Sequence, residues 1–139
     1  MKLGFLYAGQ GSQHPGMGTD LYERFPTFRA VLDSAAEQVD FDLKEVSFTD
    51  AKGVLNQTRY TQPAILTTSL AIYRLLIQEG IHPDVVAGLS LGEYSALVAS
   101  NSIDFESALK LVRKRGQLMQ EAVPPGLGAM AAVIGLNED

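Results

Sequence analysis

The chain has 139 residues, 46% of them hydrophobic and 19% charged, which suits one compact domain with a real core and excludes a disordered segment. A net charge of −5 argues against nucleic acid as a partner, and the lack of any cysteine rules out disulfides and thiolate metal sites. His14 and His82 alone supply imidazole and form no zinc signature; no apolar run is long enough for a bilayer, no signal-peptide core opens the chain, and a cytoplasmic setting is expected.

Lys2 to Ala8 reads as a short strand, apolar enough to be buried on both faces. It runs into a glycine-rich loop from Gly9 to Gly18. Phe28, Val31, Leu32, Ala35, Ala36 and Val39 fall at helical spacing and predict a helix over Pro26 to Val39, with Pro26 suited to its first turn. Residues 40 to 60 read as short helical pieces and loop. A second helix is expected over Pro63 to Glu79, capped by Thr61 and stopped by Gly80. His82-Pro83 make a turn, and Asp84 to Ala87 a strand. Gly88 to Gly92 form a tight turn, and Glu93 to Ser100 a helix. Asp104 is suited to cap a further helix from Phe105 to about Val123, ended by Pro124-Pro125-Gly126. Ala129 to Leu136 reads as another buried strand. Strand, helices, strand, helix, helix, strand is the pattern of an α/β fold with a parallel sheet and flanking helices.

Gly88-Leu89-Ser90-Leu91-Gly92 is a G-x-S-x-G sequence between an expected strand and an expected helix, the setting of a nucleophile elbow. In such a turn Ser90 is a strained nucleophile at the C-terminal end of the sheet, and the Leu91 N–H faces a forming oxyanion; the same five residues also read as a plain strand–helix connection. A second oxyanion donor has to come from a loop after an early strand. Gly9-Gln10-Gly11 meets that requirement through the Gln10 N–H, and also reads as a plain glycine-rich turn. On the last helix Lys110, Arg113 and Lys114 fall on the solvent side. Arg115, three residues after Val112 and four before Met119, falls inward. A cation there needs a carboxylate, either in a structural ion pair or on a substrate bound through two parallel hydrogen bonds.

Four segments then occur in order: Tyr7-Ala8-Gly9-Gln10-Gly11-Ser12-Gln13, Tyr60-Thr61-Gln62-Pro63-Ala64, Gly88 to Leu97, and Arg115-Gly116-Gln117-Leu118-Met119. Together with Gly126 to Val133 they resemble the malonyl-CoA:acyl carrier protein transacylases and the acyltransferase domains of polyketide and fatty acid synthases. The resemblance covers essentially the whole chain. It implies an α/β-hydrolase-like core over residues 1–125, followed over 126–139 by the start of a small inserted, ferredoxin-like subdomain. It also implies a ping-pong transfer for fatty acid biosynthesis. Malonyl passes from coenzyme A to Ser90 and then to the phosphopantetheine thiol of acyl carrier protein, with no cofactor beyond the coenzyme A thioester substrate. Gln10 and Leu91 would supply the oxyanion hole, and Arg115 would bind the malonyl carboxylate.

Two departures stand out. The family usually has histidine before the nucleophile, where this chain has Leu89. Its catalytic histidine lies in a later segment, so the chain to Asp139 is expected to be incomplete, weakly active at best, and prone to self-association through its unpaired last strand. His82 precedes its strand, at the opposite end of the sheet from Ser90; His14 lies in the loop near the correct edge, where it reads as a turn residue. A first strand beginning directly at the N-terminus points to a stand-alone enzyme. The competing readings are a serine esterase or thioesterase, and a non-catalytic fragment that binds acyl carrier protein.

Overall fold

The computed structural model describes residues 2–123, 126 and 127. Among them are strand β1 (Gly4–Tyr7), helices α1 (Thr19–Arg24), α2 (Pro26–Ala36), α3 (Leu43–Phe48) and α4 (Thr58–Gln78), strand β2 (Val85–Gly88), and helices α5 (Gly92–Ala99) and α6 (Phe105–Ala122). The two strands pair in parallel, from Gly4 opposite Val85 to Tyr7 opposite Gly88. Both loops that leave their C-terminal ends, after Tyr7 and after Gly88, therefore emerge at one edge. The strand expected at Ala129 to Leu136, and with it most of the segment assigned to an inserted subdomain, lies outside the described residues.

α4 is the central element. Every residue from Thr61 to Thr68 is buried, because α2, α3, α5 and α6 all pack around it. Leu66 and Leu70 of α4 join Leu43, Leu55, Leu91, Leu109 and Val112 in the main core, while Phe28, Leu32 and Ala71 form a smaller cluster against α2. The helix starts at Thr58, five residues before Pro63, so the expected start at Pro63 is corrected. Thr61 is not its cap: its hydroxyl donates inward, to the carbonyls of Leu55 and Gln57. The first-turn N–H of Thr58 is instead taken by Gln120 Oε1 of α6 at 3.0 Å, so a distant side chain replaces a local cap.

Other boundaries follow local signals. Asp104 caps α6 as expected, accepting from Ser107 N at 2.8 Å, and that bond with the Ser107 hydroxyl's holds its carboxyl below the usual range. Gly80, in the left-handed region at φ 78°, follows the end of α4. α1 lies between the glycine-rich loop and the helix expected from Pro26, in a stretch given no assignment: its N-cap Gly18 has no side-chain bond to offer and no residue of the helix is buried.

Arg113 corrects the view of α6's outer side. It is not simply solvated, since Nη1 donates to the Gln38 carbonyl at 2.6 Å and Nη2 to Asp40 Oδ1 at 3.0 Å. These bonds fasten α6 to the segment after α2.

The expectation that β1 is buried on both faces fails. Phe5 and Tyr7 face the helices, with Phe5 edge-on to Tyr73 of α4, whereas Leu6 is 85% and Val85 64% exposed. Among the described residues only one face of the sheet is covered. The 139-residue chain is therefore expected to self-associate as its concentration rises. Light scattering across a dilution series, run beside a Leu6→Lys, Val85→Lys variant, should show the variant more monomeric; a wild-type monomer at every concentration contradicts this.

Tyr7 yields a second prediction. Burial first, and the neighbouring Tyr73 second, push its phenol from 10.0 up to about 12, and its hydroxyl has no hydrogen-bond partner among the described residues. The fold thus favours the protonated phenol. Its contribution is complete below pH 10 and is lost as the pH rises through about 12. Denaturant midpoints measured over that range should fall more steeply for the wild type than for Tyr7→Phe.

Candidate active site

The elbow is built by backbone contacts. Leu89 N donates to the Tyr7 carbonyl at 3.2 Å, prolonging the strand pairing by one bond. The chain then reverses: Ser90 takes φ 53°, in the left-handed region, and Gly92 N closes the turn onto the Leu89 carbonyl at 2.9 Å. α5 begins at once at Gly92, with Leu91 fully buried beneath it and Ser90 left exposed. The flanking glycines are steric necessities. A Cβ on Gly88 would lie 2.0 Å from the carbonyl carbon of Gly92, and one on Gly92 would lie 2.2 Å from the carbonyl oxygen of Tyr7.

The loop after β1 lies across this turn. A Cβ on Gly9 would stand 2.8 Å from the Leu89 carbonyl oxygen, so the loop reaches the elbow through a missing side chain. Gln10 follows, its side chain held from α4: Nε2 donates to Thr58 Oγ1 at 3.1 Å, and Oε1 accepts from Gln62 Nε2 at 3.3 Å. Gln62 is fully buried and its Nε2 also lies 3.1 Å from Met119 Sδ of α6. The N–H groups of Gln10 and Leu91 take part in no turn or cap bond among the described residues.

Arg115 meets the elbow from α6. Its Nη2 donates to Ser90 Oγ at 3.0 Å, and its Cζ stands 5.9 Å from the centre of the Tyr94 ring on α5. It is half-buried, not buried as expected, and no carboxylate pairs with it among the described residues. Its neighbour Gly116 permits the approach of α6: a Cβ there would meet the Thr58 carbonyl oxygen at 3.0 Å.

Ser90, Gln10, Leu91 and Arg115, read separately from the sequence, thus fall at one edge of the sheet. Among the described residues neither histidine is hydrogen-bonded to any of the four. His82 precedes β2, and His14 Nδ1 lies 3.1 Å from the Pro15 carbonyl. No group of three His, Cys, Asp or Glu suited to a metal occurs among the described residues, and no helix there is long and apolar enough to cross a membrane. Thr58, Gln62 and Tyr94 belong to the same neighbourhood and were assigned no role from sequence. Gln62 carried one usable signal, a polar side chain at the head of a long apolar helix.

A strand turning through a strained serine into a helix, with a second glycine loop laid over it, defines an α/β protein with a sharp strand–serine–helix elbow. Residues 4–138 match the acyl transferase domain, and the chain belongs to that family. It is similar to the malonyl CoA-acyl carrier protein transacylase of Staphylococcus aureus (strain MRSA252), 49% identical over 138 residues that cover 99% of this chain and 44% of that protein. The solved structure of the Coxiella burnetii malonyl CoA-acyl carrier protein transacylase gives a TM-score of 0.91 at 47% identity, covering 99% of this chain and 44% of that one. A type II PKS acyl-carrier protein in complex with its malonyl-transacylase gives a TM-score of 0.84 at 43% identity, covering 91% of this chain and 41% of that one. The chain spans less than half the length of the curated relatives it matches.

The glycine contacts predict a large loss. Gly88→Ala or Gly92→Ala drives a methyl group into backbone, which has no rotamer to yield, and should destabilise the chain by about 3 kcal/mol or more. Urea midpoints read this directly; a change below about 1 kcal/mol would mean that the turn re-forms elsewhere.

Proposed function

We propose that this chain is the nucleophile-bearing part of a malonyl-CoA:acyl carrier protein transacylase of fatty acid biosynthesis, working in the cytoplasm. Ser90 Oγ attacks the thioester carbonyl of malonyl-CoA, its proton passes to a base, and coenzyme A leaves as the thiol, so the acyl group becomes a serine ester. The phosphopantetheine thiol of acyl carrier protein then attacks that ester and regenerates the hydroxyl. In each step negative charge gathers on the carbonyl oxygen, and the N–H groups of Gln10 and Leu91 are the donors assigned to it. Gln62 and Thr58 hold the Gln10 side chain and so position the loop that carries the first donor. The substrate itself supplies the activated acyl group, so the reading needs no further cofactor.

The observation that carries the reading is Arg115 Nη2 on Ser90 Oγ at 3.0 Å. A guanidinium with no carboxylate among the described residues, set beside the nucleophile, suits an acyl group that brings its own carboxylate. That favours a malonyl donor over the neutral acyl groups of a general esterase. The similarity to a malonyl-transacylase solved in complex with an acyl carrier protein supports the acceptor. Neither His14 nor His82 serves as the base in this reading; a histidine from the remainder of a complete transacylase does, and the 139-residue chain alone should turn over poorly.

In the complete protein, incubation with malonyl-CoA followed by digestion and mass spectrometry should place a malonyl adduct on the peptide containing Ser90. An adduct on Ser12 or Ser95, or normal turnover by Ser90→Ala, rejects the assignment. Arg115→Ala should weaken malonyl transfer by about 2–5 kcal/mol while acetyl transfer escapes that loss, and Arg115→Lys should restore only part of it. Equal losses for both substrates would make Arg115 structural.

A further inference from the structure

Arg115 and Arg113 leave the same helix two residues apart, yet they are held very differently. Arg113 is anchored by the Gln38 carbonyl and the Asp40 carboxylate. Among the described residues Arg115 makes a single hydrogen bond, and its acceptor is the hydroxyl assigned to attack the substrate. It also stands over the face of Tyr94, with Cζ 5.9 Å from the ring centre, near the outer limit of a cation–π contact. A half-buried cation held by one neutral oxygen and one ring is easily drawn away.

The bond to Ser90 has a chemical consequence. A serine oxygen has one proton to give to a base and lone pairs for attack, and an N–H donated into it draws density from those lone pairs. The guanidinium also fills space beside Oγ, which an incoming carbonyl carbon must approach to about 3–3.5 Å. A carboxylate offers Arg115 two parallel charge-assisted bonds, each about twice as strong as a neutral one, whereas acetyl offers none. We propose that Arg115 is a displaceable cap on the Ser90 hydroxyl, which restrains attack on neutral acyl groups and is drawn off by an acyl group bearing a carboxylate. Tyr94 keeps the guanidinium in place through the change of partner. The cap rests on the proposed role of Ser90 and adds to it: Arg115 selects by attraction and also by obstruction.

A small neutral reagent that reports the hydroxyl directly provides the test. Phenylmethanesulfonyl fluoride forms an Oγ–S bond with serine and releases fluoride, and the hydroxyl proton passes to the base. In the complete protein, Ser90 of Arg115→Ala should be labelled about tenfold faster than in the wild type, the effect of removing one hydrogen bond of ordinary strength. Malonate ion below saturation should speed labelling of the wild type and leave Arg115→Ala unchanged, while malonamide should do neither. Equal or slower labelling of Arg115→Ala overturns the cap, because the guanidinium would then be neutral or activating. Malonate that slows the wild type, or leaves it unchanged, overturns displacement by carboxylate. Labelling that persists in Ser90→Ala rejects the nucleophile itself and the cap with it, an outcome separate from the other two.

Discussion

Where α5 leaves the elbow, the backbone of Gly92 runs so close to β1 that a single added carbon would stand 2.2 Å from the Tyr7 carbonyl oxygen. That approach fixes the start of α5 against the sheet, and the strained φ of Ser90 is the conformation that joins the two. The strain is sustained because its surroundings determine it on every side: strand pairing before it, the buried Leu91 after it, and the Gly9 loop across it. Loosening any of these contacts lets the serine relax and removes its hydroxyl from the sheet edge.

The helices set the rest of the neighbourhood at one remove. α4 supplies no nucleophile, yet its first turn holds Gln10 through Thr58 and Gln62. α6 completes that turn through Gln120 and, by the missing side chain of Gly116, comes close enough to bring Arg115 to the serine. Arg113 clamps the same helix to Asp40, whose carboxyl is held below the usual range first by a local backbone hydrogen bond and further by Arg113 and Arg59. One arginine fastens the helix, and the next but one reaches Ser90.

What could be read from the sequence was whatever short-range rules determine. The G-x-S-x-G turn, the Asp104 cap and the Gly80 stop depend on neighbouring residues, and all three appear as expected. What escaped depends on contacts across the fold. α4 begins before its proline because a side chain 62 residues further on takes the Thr58 N–H. α1 lacks a side-chain cap and buries none of its residues, so its local signals, Asp20 in the first turn and Arg24 in the last, are weak ones. Helical spacing put Arg115 inward but carried no information that its partner would be a serine. An apolar strand looks alike whether one face or two are covered, which is why the exposure of Leu6 was not foreseen.

The bond from Thr58 to Gln120 also bears on how the site is made. β1 pairs only once β2 has been made, across a separation of 81 residues between Leu3 and Asp84. The first turn of α4, which orients Gln10, must wait longer still, until Gln120 is free to dock. Contacts of such separation carry a loop-closure cost that short ones do not, so they belong to the late part of folding. The surroundings of Ser90 therefore depend on contacts that form only after the local helices and turns of this segment.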